Sequence, residues 1–464
     1  MEKIITKCIA RLPNIENEIS EDEYPIITTN KYQERINSAI KKCKNKFTHL
    51  IIYADREHFS NMEYFSGYDP RFEEALLILS EYCKPAIIAG DEGCSYAKKI
   101  PYDVDIILYP TFSLPSQPRD KSIKLSDIFK ELGVTTESKV GLIGWKLFSE
   151  EDFINPEKQY DFPCFIINEL VKIVDLNNVS NATGIMIDNN EGLRIVLDAE
   201  ELVLCELAGT KSSRKTYNVL KNLKDGMTEI EASSFLNIDG DPLNAFPMVS
   251  FGKNLFLAVA SPSHNRTLKQ GDLVGAGMSY RRSLCHKTSY FVKDYSELTN
   301  DAKRMFDLYF RSLIKWYESI KVGITGGEVY KRVKEVVGDY KTAGIALNPG
   351  HLIHTEEWTN SPFSEGNNCL LKSGMAIQCD FASSLPLVNV CIHEEDGIIL
   401  ADKDLRAKIF KIAPKTYQRM MNRREFMIHE LGIQLDESVL PTSDLPAVVF
   451  PCLKNINIVL ARVL

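Results

Sequence analysis

The chain has 464 residues, 44% of them hydrophobic and 25% charged, with a formal net charge of −8. That length exceeds one ordinary core and gives two domains as the prior, while a mildly acidic balance without a block of like charges excludes the electrostatic footprint of a nucleic-acid binder. With no apolar run long enough for a bilayer, no secretion-type apolar core near the N-terminus and 11 cysteines without a CxxC pair, the expectation is a cytoplasmic protein with reduced thiols and no membrane partner.

Five apolar runs of strand length mark the first part: "FTHLIIYAD" (47–55), "EEALLILS" (73–80), "PAIIAGD" (85–91), "VDIILYP" (104–110) and "KVGLIGW" (139–145). Helical stretches such as "KLSDIFKELG" (124–133) and "CFIINELVKIVDL" (164–176) lie between and after them. That alternation predicts an α/β domain. The composition shifts at "NNVSNATG" (177–184), which places the boundary near 190 and gives domains over 1–190 and 191–464.

The second part opens with a long helix predicted from Ala199 to Leu223. "DGMTEIEA" then makes a turn, with Thr228 as N-cap and Glu231 three residues on, the spacing of a capping box. "GDLVGAGMSYRRSLCHKTSYFV" (271–292) reads as a hairpin turning around 279–283, with no carboxylate between Asp272 and Asp294. Helices over 300–323 and 325–340 frame further strands at 374–382 and 396–402. Long helices segregated from strands predict an α+β layer with an antiparallel sheet. The tail over 437–464 reads as a closing strand region whose apolar runs fit either a core or an interface. Cys285 and His286 are neighbours on a strand and point to opposite faces, which argues against a cysteine–histidine dyad. "GITGGEVY" lacks the lysine and spacing of a phosphate loop.

The order of these segments resembles the creatinase/aminopeptidase P/prolidase family, the M24 metallopeptidases. The resemblance is carried by "HFSNMEYFSGYDPRFEEALLIL" (58–79), "LKQGDLV" (268–274), "NPGH" (348–351), "LKSGMAIQCD" (371–380) and "HEEDGIILAD" (393–402). It implies an α/β N-terminal domain followed by an α+β pita-bread domain, and a homodimer. In that family two Asp, one His and two Glu hold a pair of divalent metals. Carried over, the first Asp falls on Gly277, the second on His286, the His on His351, and the two Glu on Asp380 and Glu395. The usual Arg becomes His393, and two substrate-facing histidines fall on Ala260 and Trp358.

Two cations close together need bridging carboxylates to offset their repulsion. Gly277 offers no ligand and His286 a neutral nitrogen. The resemblance with these departures implies either no metal or one divalent ion, Zn, Mn or Fe, held by His286, His351, Asp380 and Glu395. The same four are the candidate catalytic residues, with His354, His393 and Trp358 as substrate-binding candidates for a small molecule or peptide. Plainer readings stand beside these. Gly277 fits a strand glycine, His286 a core histidine and His351 a loop histidine after "NPG". Asp380 fits a buried structural acid, Glu395 a solvated member of "EED", and "HTEEW" (354–358) a turn with a solvated acidic face. Three functions follow: a non-classical hydrolase of a C–N bond, a single-metal peptidase, or a catalytically silent binding protein. Ordinary two-metal aminopeptidase activity is not expected.

Overall fold

The computed structural model describes residues 3–119 and 122–463. It divides into two compact units, Ile27–Ile195 and Val196–Leu464, the second also containing Met1–Ile26.

The first strand, β1 (Lys3–Cys8), belongs to the second unit. The next six are β2 (His49–Ala54), β3 (Ala75–Ser80), β4 (Ala86–Ala89), β5 (Asp105–Leu108), β6 (Val140–Ile143) and β7 (Val179–Asn181). They build one mixed sheet in the order β5-β4-β3-β2-β6-β7. β2 and β3 are buried along their whole length, which explains their unbroken apolar sequence. Successive residues serve opposite faces. Ile52 and Leu77 enter one core cluster, and Ile51 and Leu76 enter the other.

The second unit carries β8 (Leu243–Phe251), β9 (Leu273–Tyr280), β10 (Ser283–Tyr290), β11 (His351–Leu352), β12 (Ala376–Leu385), β13 (Val390–Leu400), β14 (Val439–Pro441) and β15 (Ile458–Val463). Its main sheet runs β11-β12-β13-β10-β9-β8, antiparallel throughout, with β14 on β13.

The helix Ala199–Asn222 packs on β9 and β10. Asp198 caps it by accepting from the Glu201 amide. Its small residues permit close approach: a Cβ on Gly209 would stand 2.8 Å from the Thr442 carbonyl oxygen and 3.1 Å from Ser283 Oγ. Ser212 and Thr216 hydroxyls donate to the Ser283 and Cys285 carbonyls at 2.9 and 3.1 Å, so this helix pins the strand that carries His286.

The compact units compare with the expected division near 190 as follows. The first unit ends at Ile195, and the first 26 residues join the second unit. Their partners are remote in sequence. β1 pairs with β15 from Lys3↔Val463 to Cys8↔Ile458, and Glu23 reaches Arg419 across 396 residues. No helix among the described residues is long and apolar enough to cross a membrane.

The capping box at Thr228 forms as the spacing predicts, with reciprocal contacts between Thr228 and Glu231. Thr228→Ala is expected to destabilise the second unit by about 1 kcal/mol, the usual size of a lost N-cap. Urea denaturation checks this; an unchanged midpoint would mean the cap contributes nothing.

Candidate functional site

The hairpin β9–β10 turns through Arg281 and Arg282, with Tyr280 paired to Ser283 and Arg282 at a φ of 88°. From that turn the register runs inward and brings four residues into one continuous rung. Gly277 on β9 lies opposite His286 on β10, His286 opposite Glu395 on β13, and Glu395 opposite Asp380 on β12. Residues directly opposite on paired strands share a face. His351 joins from β11, where it pairs with Gln378 of β12.

Two carboxylates therefore stand between two imidazoles. His351 Nε2 lies 3.7 Å from Asp380 Oδ2 and 3.7 Å from Glu395 Oε1. On the other side His393 Nε2 lies 2.8 Å from Asp380 Oδ1 and 3.6 Å from Glu395 Oε2. Donor atoms of His351, Asp380 and Glu395 all lie within 4.8 Å of one another, a geometry able to hold a metal ion.

His286 is close by but does not join that donor set. Its ring stacks on His393 with centroids 4.6 Å apart, and its Nδ1 is buried without a hydrogen-bond partner. It lies across Gly277, where an added Cβ would be 2.5 Å from His286 Cδ2. The imidazole fills the room that a side chain at 277 would need. Burial, reinforced by His393, pushes the His286 pKa well below the ordinary histidine value and keeps the ring neutral.

The three donors polarise one another. Burial raises the Glu395 pKa well above the usual carboxylate value, and the neighbouring Asp380 adds to this. Asp380 is held low despite its burial, by His393 first and then by His351 and His286. Burial works against a charged His351, but Glu357, Glu395 and Asp380 together outweigh it and raise its pKa. His351 Nδ1 lies 3.3 Å from the Leu352 carbonyl oxygen. With Nδ1–H donating there, Nε2 turns a lone pair toward carboxylates unless a proton or a cation stands between them. That Nε2 is fully buried and has no aligned hydrogen bond.

The substrate-binding candidates separate. Trp358 stacks on His351 with centroids 4.1 Å apart and an interplanar angle of 17°. His393 faces the two acids. His354 does not: its Nε2 meets Glu201 Oε1 at 2.8 Å and its Nδ1 meets Thr355 Oγ1 at 3.1 Å. Both nitrogens are engaged outside the triad, and the residue is 1% exposed. The reason is loop closure, which turns this histidine toward the helix that carries Glu201.

Two features escaped the sequence reading. Glu357, read within a solvated acidic turn, lies 3.0 Å from His351 Nε2. The acids flanking Glu395 are not solvated either. Glu394 and Asp396 point to the opposite face and pair with fully buried Lys287 at 3.1 and 2.5 Å. Burial pushes Glu394 up to about 8. The alternation of charge at Lys287 and of acids at 394 and 396 was the available signal for that second buried cluster.

The metallopeptidase family M24 model matches residues 205–402. Among solved structures, the chain is similar to the prolidase from Pyrococcus horikoshii OT3, at 17% identity and a TM-score of 0.62, covering 79% of this chain and 95% of that one. It is similar to the Xaa-Pro dipeptidase from Bacillus anthracis at 16% identity and a TM-score of 0.60, covering 81% and 95%. The X-Pro aminopeptidase from Thermotoga maritima MSB8 aligns at 16% identity and 0.59, covering 80% and 95%. No match is found among the curated proteins. At such identities the structural likeness speaks for the fold. The family model and the fold agree over residues 205–402, and the second unit has the pita-bread fold of these M24-type structures. Divalent metals serve that family.

Proposed function

We propose that the protein is a hydrolase of a C–N bond, in a peptide or a small amide-like molecule, working at one divalent cation rather than two. The observation that carries this reading is the convergence of His351, Asp380 and Glu395, whose donor atoms lie within 4.8 Å of one another around a buried His351 Nε2 that makes no aligned hydrogen bond. One imidazole and two carboxylates fit a single Zn, Mn or Fe ion. The reading denies a second ion because Gly277 supplies nothing and His286 only a neutral ring, so no carboxylate on the hairpin bridges two cations.

When bound, the ion supplies Lewis-acid polarisation of a scissile carbonyl. The remaining work falls to the chain. His393, hydrogen-bonded to Asp380, orients that carboxylate and stands where a proton can be exchanged with substrate. Gln378 Nε2 donates to Glu395 Oε1 at 3.3 Å and to the Leu284 carbonyl at 2.7 Å, fixing the second acid. Trp358 covers one face of His351 and keeps water from that side.

A catalytically silent binding role is the second reading, favoured by the His286 ring that fills the room beside Gly277. Elemental analysis of protein purified without chelator, with a screen of Xaa-Pro peptides, amides and amidines, separates the two. The expected result is one ion per chain and no ordinary two-metal Xaa-Pro cleavage after added manganese, cobalt or zinc. Two tightly bound ions would overturn the reading. Absence of both ion and turnover would select the silent role.

A further inference from the structure

We propose that Glu357 is a fourth cation-binding residue, so that the metal site has moved away from the β9–β10 hairpin toward the loop after β11. This rests on the single-cation reading above. His351 Nε2 is the shared vertex. It lies 3.0 Å from Glu357 Oε1 and 3.7 Å from an oxygen of each of Asp380 and Glu395. Ligands about 2.1 Å from one ion stand about 3.4 Å apart in a tetrahedral arrangement, and these three separations from His351 bracket that value; Glu357 stands outside the three residues whose donor atoms all lie within 4.8 Å of one another, so it completes the set by turning inward. The His351 Nε2 shared by these contacts is fully buried and makes no aligned hydrogen bond, so its lone pair can be given to a cation held by the same carboxylates.

The loop holding Glu357 is built. Leu352 and Asn360 close its ends, with Leu352 N to Asn360 O at 2.7 Å and Thr359 N to Leu352 O at 2.9 Å. Asn244 Nδ2 anchors its middle through the Thr355 carbonyl at 2.7 Å, and the His354–Glu201 contact holds it from the helix side. Trp358, next to Glu357, fixes the plane of the His351 ring by stacking. Glu357 itself is 26% exposed in its side chain, so it has the freedom to swing from His351 toward the oxygens of Asp380 and Glu395 as an ion enters. Three carboxylates and one imidazole make an oxygen-rich donor set, which favours manganese over zinc relative to a site with fewer acids.

The test is Mn²⁺ titration of chelator-stripped, full-length protein by calorimetry, with the Mn²⁺ electron paramagnetic resonance signal as a second readout. Glu357→Gln keeps shape and removes charge, and is expected to weaken Mn²⁺ binding by about 10- to 100-fold, the range of a lost metal-site partner. The preference over Zn²⁺ should fall with it. Glu357→Asp keeps charge but shortens reach, and should weaken binding almost as much. Glu365→Gln makes the same charge change at an exposed position that pairs with Lys334 and should bind like the unmodified chain. Unmodified protein that binds one ion, with Glu357→Gln binding equally well, would overturn the role of Glu357 and leave the single-cation reading standing. Unmodified protein that takes up no ion would overturn both.

Discussion

Gly277→Asp alone is expected to add no second cation, whereas Gly277→Asp with His286→Asp is expected to raise the metal content toward two per chain. The single substitution places a Cβ 2.5 Å from His286 Cδ2, 2.9 Å from His286 Cβ and 2.8 Å from the Cys285 carbonyl oxygen. Such overpacking costs about 1–3 kcal/mol and leaves no room for the new carboxylate to reach the site. Replacing His286 as well removes the ring and its 2.5 Å contact, leaving the strands to absorb the contacts at 2.8 Å to the Cys285 carbonyl oxygen and 2.9 Å to the Cβ of residue 286. It also sets two acids opposite each other on paired strands, in the same rung as Glu395 and Asp380. Those hairpin acids would then offset the repulsion between two cations. Asp380→Glu becomes a useful third change if the shorter side chain holds its oxygens too far back. Peptide turnover should remain low in all of these variants, because Ala260 and Trp358 stand where the family resemblance implies histidines. Elemental analysis and a thermal melt of each variant are the measurements. Two tightly held ions in the unmodified chain or in Gly277→Asp would show that the ligands are assigned wrongly.

Arg423→Met should cost the second unit about 3–5 kcal/mol, the scale on which removing one partner strands a buried charge. Arg423 contacts Glu206 at 2.6 Å and Asp444 at 2.7 Å, and all three side chains are fully buried. Glu206 also takes Arg419 at 2.7 Å, Arg419 takes Glu23 at 2.5 Å, and Asp444 takes Arg214 at 2.7 Å. Three guanidinium groups and three carboxylates balance in this chain of contacts. Without Arg423 the carboxylates outnumber their partners in a place water does not reach. Because Glu23 sits at one end, the first 26 residues should loosen as well and become open to proteolysis. Denaturant unfolding followed by tryptophan fluorescence gives the size of the loss. A change below about 1 kcal/mol would mean that water or rearrangement compensates the site. Restoring balance with Arg423→Met and Asp444→Asn together should recover part of the loss, since fewer charges then lie unpaired.

The local elements were legible in the sequence because burial leaves a periodic trace. β2, β3, β4, β5 and β6 fall inside the five apolar runs, and the helix predicted to Leu223 ends at Asn222. Thr228 and Glu231 declare their cap by spacing alone. His351, Asp380 and Glu395 were named from the resemblance, and the fold brings them together.

What the tertiary structure alone decided are the contacts that depend on register and loop closure rather than on neighbours in sequence. The pairing of β10 with both β9 and β13 lays His286 over Gly277 and against His393, and so keeps it out of the donor set. The closed loop after β11 sends His354 to Glu201 and brings Glu357, a residue that reads locally as a solvated acid, to His351. The same alternation that aims Glu395 at the site buries Glu394 and Asp396 against Lys287 on the far face. The sequence by itself determined which segments are strands and helices and which residue types are at hand for metal chemistry. Which of them meet was decided by strands that pair across hundreds of residues, because a side chain's surroundings are set by its neighbours in space and the local pattern records only that it is buried.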